Sequence, residues 1–190
     1  GRHRAAANLL EHGIDHLVVI GGDGSLSGTN EFRGEWAQHV AELAAEGVIS
    51  PETAAAHPAL IIVGLVGSID NDLVGTDMTI GADTALHRIL DAIDQLTSTA
   101  ASHQRTFVVE VMGRHCGYLP LMAAVAGGAD YVFTPEDPAG PGWQDDLAEH
   151  LRLGREAGRR ESIVLVAEGA HDRDGNELST QLIADTIQER

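Results

Sequence analysis

Short β-branched apolar runs alternate along this chain with longer stretches whose apolar residues recur every three to four positions. Residues 17–20, 59–66, 106–111, 129–134 and 162–167 read as buried strands. Between them, residues 5–12 predict a helix closed by Gly13. Phe32, Trp36, Val40 and Leu43 recur at helical spacing and end near Gly47. Ser50-Pro51-Glu52 predicts the cap and first turn of a short helix, because proline is tolerated at the first helical position. Residues 79–96 form the longest amphipathic stretch, with Leu86, Ile89, Leu90, Ile93 and Leu96 on one side. Further helices are expected around residues 118–126 and 144–157, and a last one begins near Ser179. Strands alternating with helices predict a three-layer α/β architecture with parallel sheets. The unbroken apolar run at residues 59–66 predicts a strand covered on both faces.

Composition narrows this picture modestly. At 190 residues, 43% apolar and 22% charged, the chain reads as an ordinary soluble globular protein. No run approaches ~18 apolar residues, so no membrane span is expected. A net charge of −17 disfavours sequence-independent binding to nucleic acid or to an anionic membrane. Lysine is absent, so any cation facing a ligand anion is an arginine, which suits bidentate phosphate recognition. Cys116 is the only cysteine, which excludes an internal disulfide and fits a cytoplasmic location. Lacking an initiator Met, the chain reads as an internal piece of a longer one, truncated at both ends.

The candidate chemistry lies in two Gly-rich turns that directly follow apolar strands. The first is Gly21-Gly22-Asp23-Gly24-Ser25 and the second Gly67-Ser68-Ile69-Asp70-Asn71-Asp72. In open α/β sheets ligands bind at the carboxyl ends of strands. Glycines there expose backbone N–H groups to phosphate, and carboxylates hold a cation or take a proton. The first turn alone also fits a dinucleotide fingerprint or a plain tight turn. Asp23 between the glycines opposes a bare pyrophosphate and favours one bridged by Mg²⁺. The second turn carries more polar groups than capping requires. Arg114, after the strand at residues 106–111, is placed to reach an anion, and Glu168 ends the strand at residues 162–167.

Taken together, these segments resemble the 6-phosphofructokinases. The matching stretches are the two turns above, Gly75-Thr76-Asp77-Met78-Thr79-Ile80-Gly81, Ser102-His103-Gln104-Arg105, Val109-Glu110-Val111-Met112-Gly113-Arg114 and Ala167-Glu168-Gly169. The wording Val66-Gly67-Ser68 and His115-Cys116-Gly117-Tyr118, with the extra segment at residues 47–58, is similar to the eukaryotic-type, catalytic N-terminal half.

That resemblance implies a Rossmann-like fold of two subdomains. Residues 1–82 would belong to the ATP- and Mg²⁺-binding part and residues 83–190 to the fructose 6-phosphate-binding part. The implied activity is phosphoryl transfer from ATP to the sugar 1-hydroxyl in an allosteric, glycolytic, cytoplasmic enzyme that assembles as a homo-oligomer, a tetramer in the family. By the same resemblance, Gly22, Asp23, Gly24 and Ser25 would cradle the ATP phosphates, with Asp23 binding Mg²⁺. Asp70 would be the general base, while Ser68 and Asp72 flank the transferring group. Arg114 would stabilise charge in the transition state, beside Met112 and Gly113 on the sugar phosphate. Arg105 would bind the 6-phosphate from across a subunit boundary, and Glu168 would hold the sugar. In the family, pyrophosphate users tend to carry an acid at the position of Gly24 and a lysine at that of Gly67, so glycine at both favours ATP. The alternatives are a pyrophosphate-dependent enzyme, a non-catalytic sugar-phosphate-sensing half, and a nicotinamide-dependent oxidoreductase. For the last, the ribose-binding acid expected at the end of the next strand is missing from Val66-Gly67-Ser68.

Overall fold

All five β-branched runs become strands in the computed structural model, which describes residues 1–190. Two compact units divide the chain, Gly1–Ser68 and Ile69–Arg190. The first contains α1 (Arg2–Glu11), β1 (His16–Gly21), α2 (Asp23–Ala45), α3 (Pro51–Ala56) and β2 (Ile61–Val66). β1 and β2 pair in parallel, with His16 opposite Ile61 and Gly21 opposite Val66. Helices α1 and α2 bury Ala6, Leu10, Trp36, Val40 and Leu43, with Leu60, against one face of this sheet. Trp36 Nε1 donates to the His57 carbonyl at 3.0 Å, which ties α2 to the end of α3. Ser50 caps α3 as expected, its hydroxyl accepting from Thr53 N at 3.1 Å. The opposite face differs from expectation. Val18, Ile20, Ile61, Val63 and Leu65 all point to it and are exposed, because the elements of this unit cover one side only.

The second unit contains α4 (Ala82–His103), β3 (Thr106–Val111), α5 (Tyr118–Gly127), β4 (Tyr131–Phe133), α6 (Trp143–Glu156), β5 (Ser162–Ala167) and α7 (Thr180–Glu189). Its parallel sheet has the order β3-β5-β4. β5 is central and buried throughout, which is why its sequence is apolar on both alternating faces. Ile93 of α4 and Leu119 and Ala123 of α5 pack on Ile163 and Leu165. Leu147 and Leu151 of α6 and Ile183 of α7 pack on Val164 and Val166 from the other side. This is the expected three-layer arrangement. No helix of the chain is long and apolar enough to cross a membrane.

Candidate functional site

The first Gly-rich segment is a helix start rather than a free loop. Gly22 is the N-cap of α2, and Asp23, Gly24 and Ser25 occupy its first turn. The first N–H groups of a helix have no intrahelical acceptor and carry the positive end of its dipole. Here they stand directly after the carboxyl end of β1, a ready anion site. Asp23 is the one acid in that turn, and its Oδ1 accepts from Ser27 Oγ at 3.3 Å. Gly67 N donates to Gly21 O at 2.9 Å, which brings the end of β2 alongside. Ser68 consequently sits beside Gly22, its Cβ 3.9 Å from where a side chain on Gly22 would begin.

Asp23 is also the residue implied to hold Mg²⁺. No group of three or more His, Cys, Asp or Glu is arranged to hold an ion by protein ligands alone. Mg²⁺ commonly uses one or two carboxylates and completes its shell with phosphate oxygens and water. One exposed carboxylate in the first turn of α2 is compatible with that donor set.

In the second unit the Asp70-Asn71-Asp72 turn is organised by its middle residue. Asn71 has φ +57°, a left-handed conformation that asparagine tolerates better than most residues. Its Oδ1 accepts from the backbone N–H of buried Thr79 at 2.9 Å, closing the loop on itself. The Asn71 carbonyl accepts a long contact from Cys116 Sγ at 3.6 Å. Asn71 is therefore structural, and it presents the two aspartates that flank it. Arg114 Nη1 lies 4.0 Å from Asp72 Oδ2, with side chains 52% and 23% exposed. At 4.0 Å and with the arginine half exposed, such a pair contributes little stability.

Arg114 is carried by a strained turn at the end of β3. Gly113 has φ +153° and Arg114 φ +51°. Glu168 Oε2, at the end of β5, accepts from Gly113 N at 3.2 Å and from Arg114 N at 2.9 Å. These two N–H donors hold the Glu168 carboxyl below its ordinary range, helped by the Arg114 and His115 charges. Met112 is 64% exposed beside them. Asp72, Met112, Gly113, Arg114 and Glu168 thus converge where β3 and β5 end.

Arg105 does not join this group. It follows Gln104, the left-handed C-cap of α4, and precedes β3, so it lies at that strand's amino end. The six residues of β3 place it roughly 17–20 Å from the Arg114 turn. A further carboxylate escaped the sequence reading. Glu136 Oε1 accepts from Gly117 N at 2.7 Å, satisfying a donor at the start of α5. Its only signal was an acid shortly after the end of β4. Cys116, between these elements, is a thiol pushed up by burial and by the nearby Glu136 and Asp72 charges.

Polar turns at the carboxyl ends of parallel strands, bearing paired acids and an arginine, are a layout of α/β proteins that handle phosphorylated ligands. The chain belongs to the phosphofructokinase family, whose model matches residues 1–190. It is 56% identical over 190 residues to the ATP-dependent 6-phosphofructokinase, liver type, of Homo sapiens, covering 100% of this chain and 24% of that protein. Among solved structures it resembles phosphofructokinase from Saccharomyces cerevisiae, with a TM-score of 0.96, 53% identity, and coverage of 99% of this chain and 25% of that one. Pichia pastoris phosphofructokinase in the T-state superposes with a TM-score of 0.87 at 49% identity, covering 99% of this chain and 19% of that chain. The chain therefore spans about a quarter of the length of the curated relatives it matches.

Proposed function

We propose that this chain supplies part of the machinery of an ATP-dependent 6-phosphofructokinase, which transfers the γ-phosphoryl group of ATP to the 1-hydroxyl of fructose 6-phosphate. The observation that carries this reading is the Arg114 turn, held by Glu168 and facing Asp72 next to Asp70. Phosphoryl transfer is catalysed mainly by positioning and by neutralising charge on the transferring group.

In this reading the first turn of α2, Gly22 to Ser25, takes the ATP phosphates on its unsatisfied N–H groups, with Ser68 alongside. Asp23 holds Mg²⁺, which when bound neutralises phosphate charge. Asp70 accepts the proton of the sugar hydroxyl. Arg114 and Asp72 set the charge around the transferring group, while Met112, Gly113 and Glu168 contact the sugar phosphate. Arg105, being distant from that group within the chain, serves the 6-phosphate of a neighbouring copy, so the working form is a homo-oligomer. The protein works in the cytoplasm.

Two glycines support ATP as the donor. Open space lies around the Gly24 α-carbon, so an acid there would stand in front of the helix start. A side chain on Gly67 would begin in ordinary contact with the Gly21 backbone, 3.4 Å from its N, so a lysine would extend from beside that helix start. Glycine at both leaves room for a nucleotide. A coupled assay of the intact gene product with fructose 6-phosphate, Mg²⁺ and either ATP or pyrophosphate tests this directly. Turnover with ATP is expected, and activity with pyrophosphate alone would overturn the donor assignment.

A further inference from the structure

The segment after β5 approaches the Arg114 turn more closely than a side chain permits. A Cβ built on Gly169 would fall against the Arg114 carbonyl oxygen, well inside van der Waals contact, and 3.2 Å from the carbonyl carbon. His115 Cα would lie 3.4 Å away. These are backbone atoms of a turn already committed to positive φ at Gly113 and Arg114, so they cannot step aside as a flexible side chain would. Gly169 itself is not among the glycines of positive φ. Alanine is therefore allowed there by its own backbone, and the conflict is purely with the neighbouring turn.

Two consecutive residues at the end of β5 hold that turn. The Glu168 carboxylate pulls on the N–H groups of Gly113 and Arg114, and Gly169 lets the Arg114 carbonyl settle against the strand end. The ladder continues into this corner, since Glu168 N donates to Val111 O at 2.9 Å. On the other side of the turn, Cys116 N donates to Gly113 O at 2.9 Å. The direction in which the Arg114 side chain leaves the backbone follows from the conformation of this turn, which these contacts hold.

We propose that Gly169 is a positioning residue for Arg114, acting with Glu168 as a corner that fixes the conformation from which the guanidinium reaches the transferring group. This rests on the kinase reading above. An ångström-scale misplacement of a catalytic group costs about 10²-fold in rate. Gly169→Ala in the intact gene product is accordingly expected to lower kcat by about 10²-fold while KM for ATP stays near the wild-type value.

Three measurements test it. In an Arg114→Ala background, Gly169→Ala should cost no more than about twofold further, since its effect runs through the arginine. An equal loss in both backgrounds overturns the proposal, as does an unchanged kcat in Gly169→Ala alone. Should Gly169→Ala fail to fold, Glu168→Gln and Glu168→Ala provide a second test. Glutamine keeps an acceptor for the two N–H groups and should restore most of the kcat lost in alanine; equal loss in both contradicts the corner. Hydrogen exchange of the Gly113 and Arg114 amides needs no activity at all. Protection in the wild type that is lost in Glu168→Ala supports the corner even if no kinase activity is found, whereas unprotected wild-type amides overturn it.

Discussion

Asn71 offers the sharpest test of how the Asp70 and Asp72 carboxylates are presented. Two things are lost when it is replaced by alanine: the acceptor for Thr79 N–H and the tolerance of φ +57°. Thr79 is 2% exposed, so its amide would be left unsatisfied, at about 1–3 kcal/mol. Holding alanine in the left-handed region adds roughly 1–2 kcal/mol. Asn71→Gly loses the acceptor but keeps the conformation. The two variants therefore separate hydrogen bonding from backbone strain, with expected losses of about 1–3 kcal/mol for glycine and about 2–5 for alanine. Amide exchange at Thr79, followed on peptides covering residues 69–80, reads these losses locally. Each 1.4 kcal/mol appears as about a tenfold faster exchange. The kcat of the same variants should fall in the same order. Identical behaviour of glycine and alanine would show that the left-handed geometry costs nothing, and unchanged exchange in both would remove the Asn71–Thr79 bond from the account.

Other outcomes follow from the assigned roles. Asp70→Ser should cut turnover by about 10²–10⁴-fold, the usual contribution of a general base, while equilibrium binding of fructose 6-phosphate survives; loss of binding instead would refute the assignment. Arg105→Ala should raise KM for fructose 6-phosphate with a smaller effect on kcat, and an unchanged KM would sink the 6-phosphate role. Glu168 is more acidic folded than unfolded, so its contribution to stability is full above the ordinary glutamate value of 4.5 and fades as pH falls below it. Acid unfolding of wild type and Glu168→Gln should therefore converge below that pH, and parallel curves would contradict the N–H donors as the cause.

Much of the layering was legible along the chain. The strands at residues 106–111 and 162–167 appear with the predicted ends, because β-branched runs bounded by polar residues leave little choice of register or length. The first Gly-rich turn proves to be the opening turn of a helix, with Gly22 as its N-cap. Three glycines, Gly24, Gly28 and Gly34, argue against a helix by propensity, yet α2 runs from Asp23 to Ala45 through all of them. Burial of Trp36, Val40 and Leu43 on the sheet outweighs the roughly 1 kcal/mol each glycine costs. A helix start suits a phosphate, since its first N–H groups are free of intrahelical acceptors and carry the positive end of the dipole.

What the sequence determined by itself is the chemistry: which acids and arginines follow which strands, and the absence of any lysine to serve as a cation. Residue type and strand order are local properties, and they survive without coordinates. The tertiary structure alone decided which of those groups act together. The sheet order β3-β5-β4 brings Glu168 within 2.9 Å of the Arg114 amide across 54 residues, and leaves Arg105, only nine positions from Arg114, at the other end of the same strand. Extended backbone separates neighbours in sequence, while parallel pairing joins residues that are far apart in it.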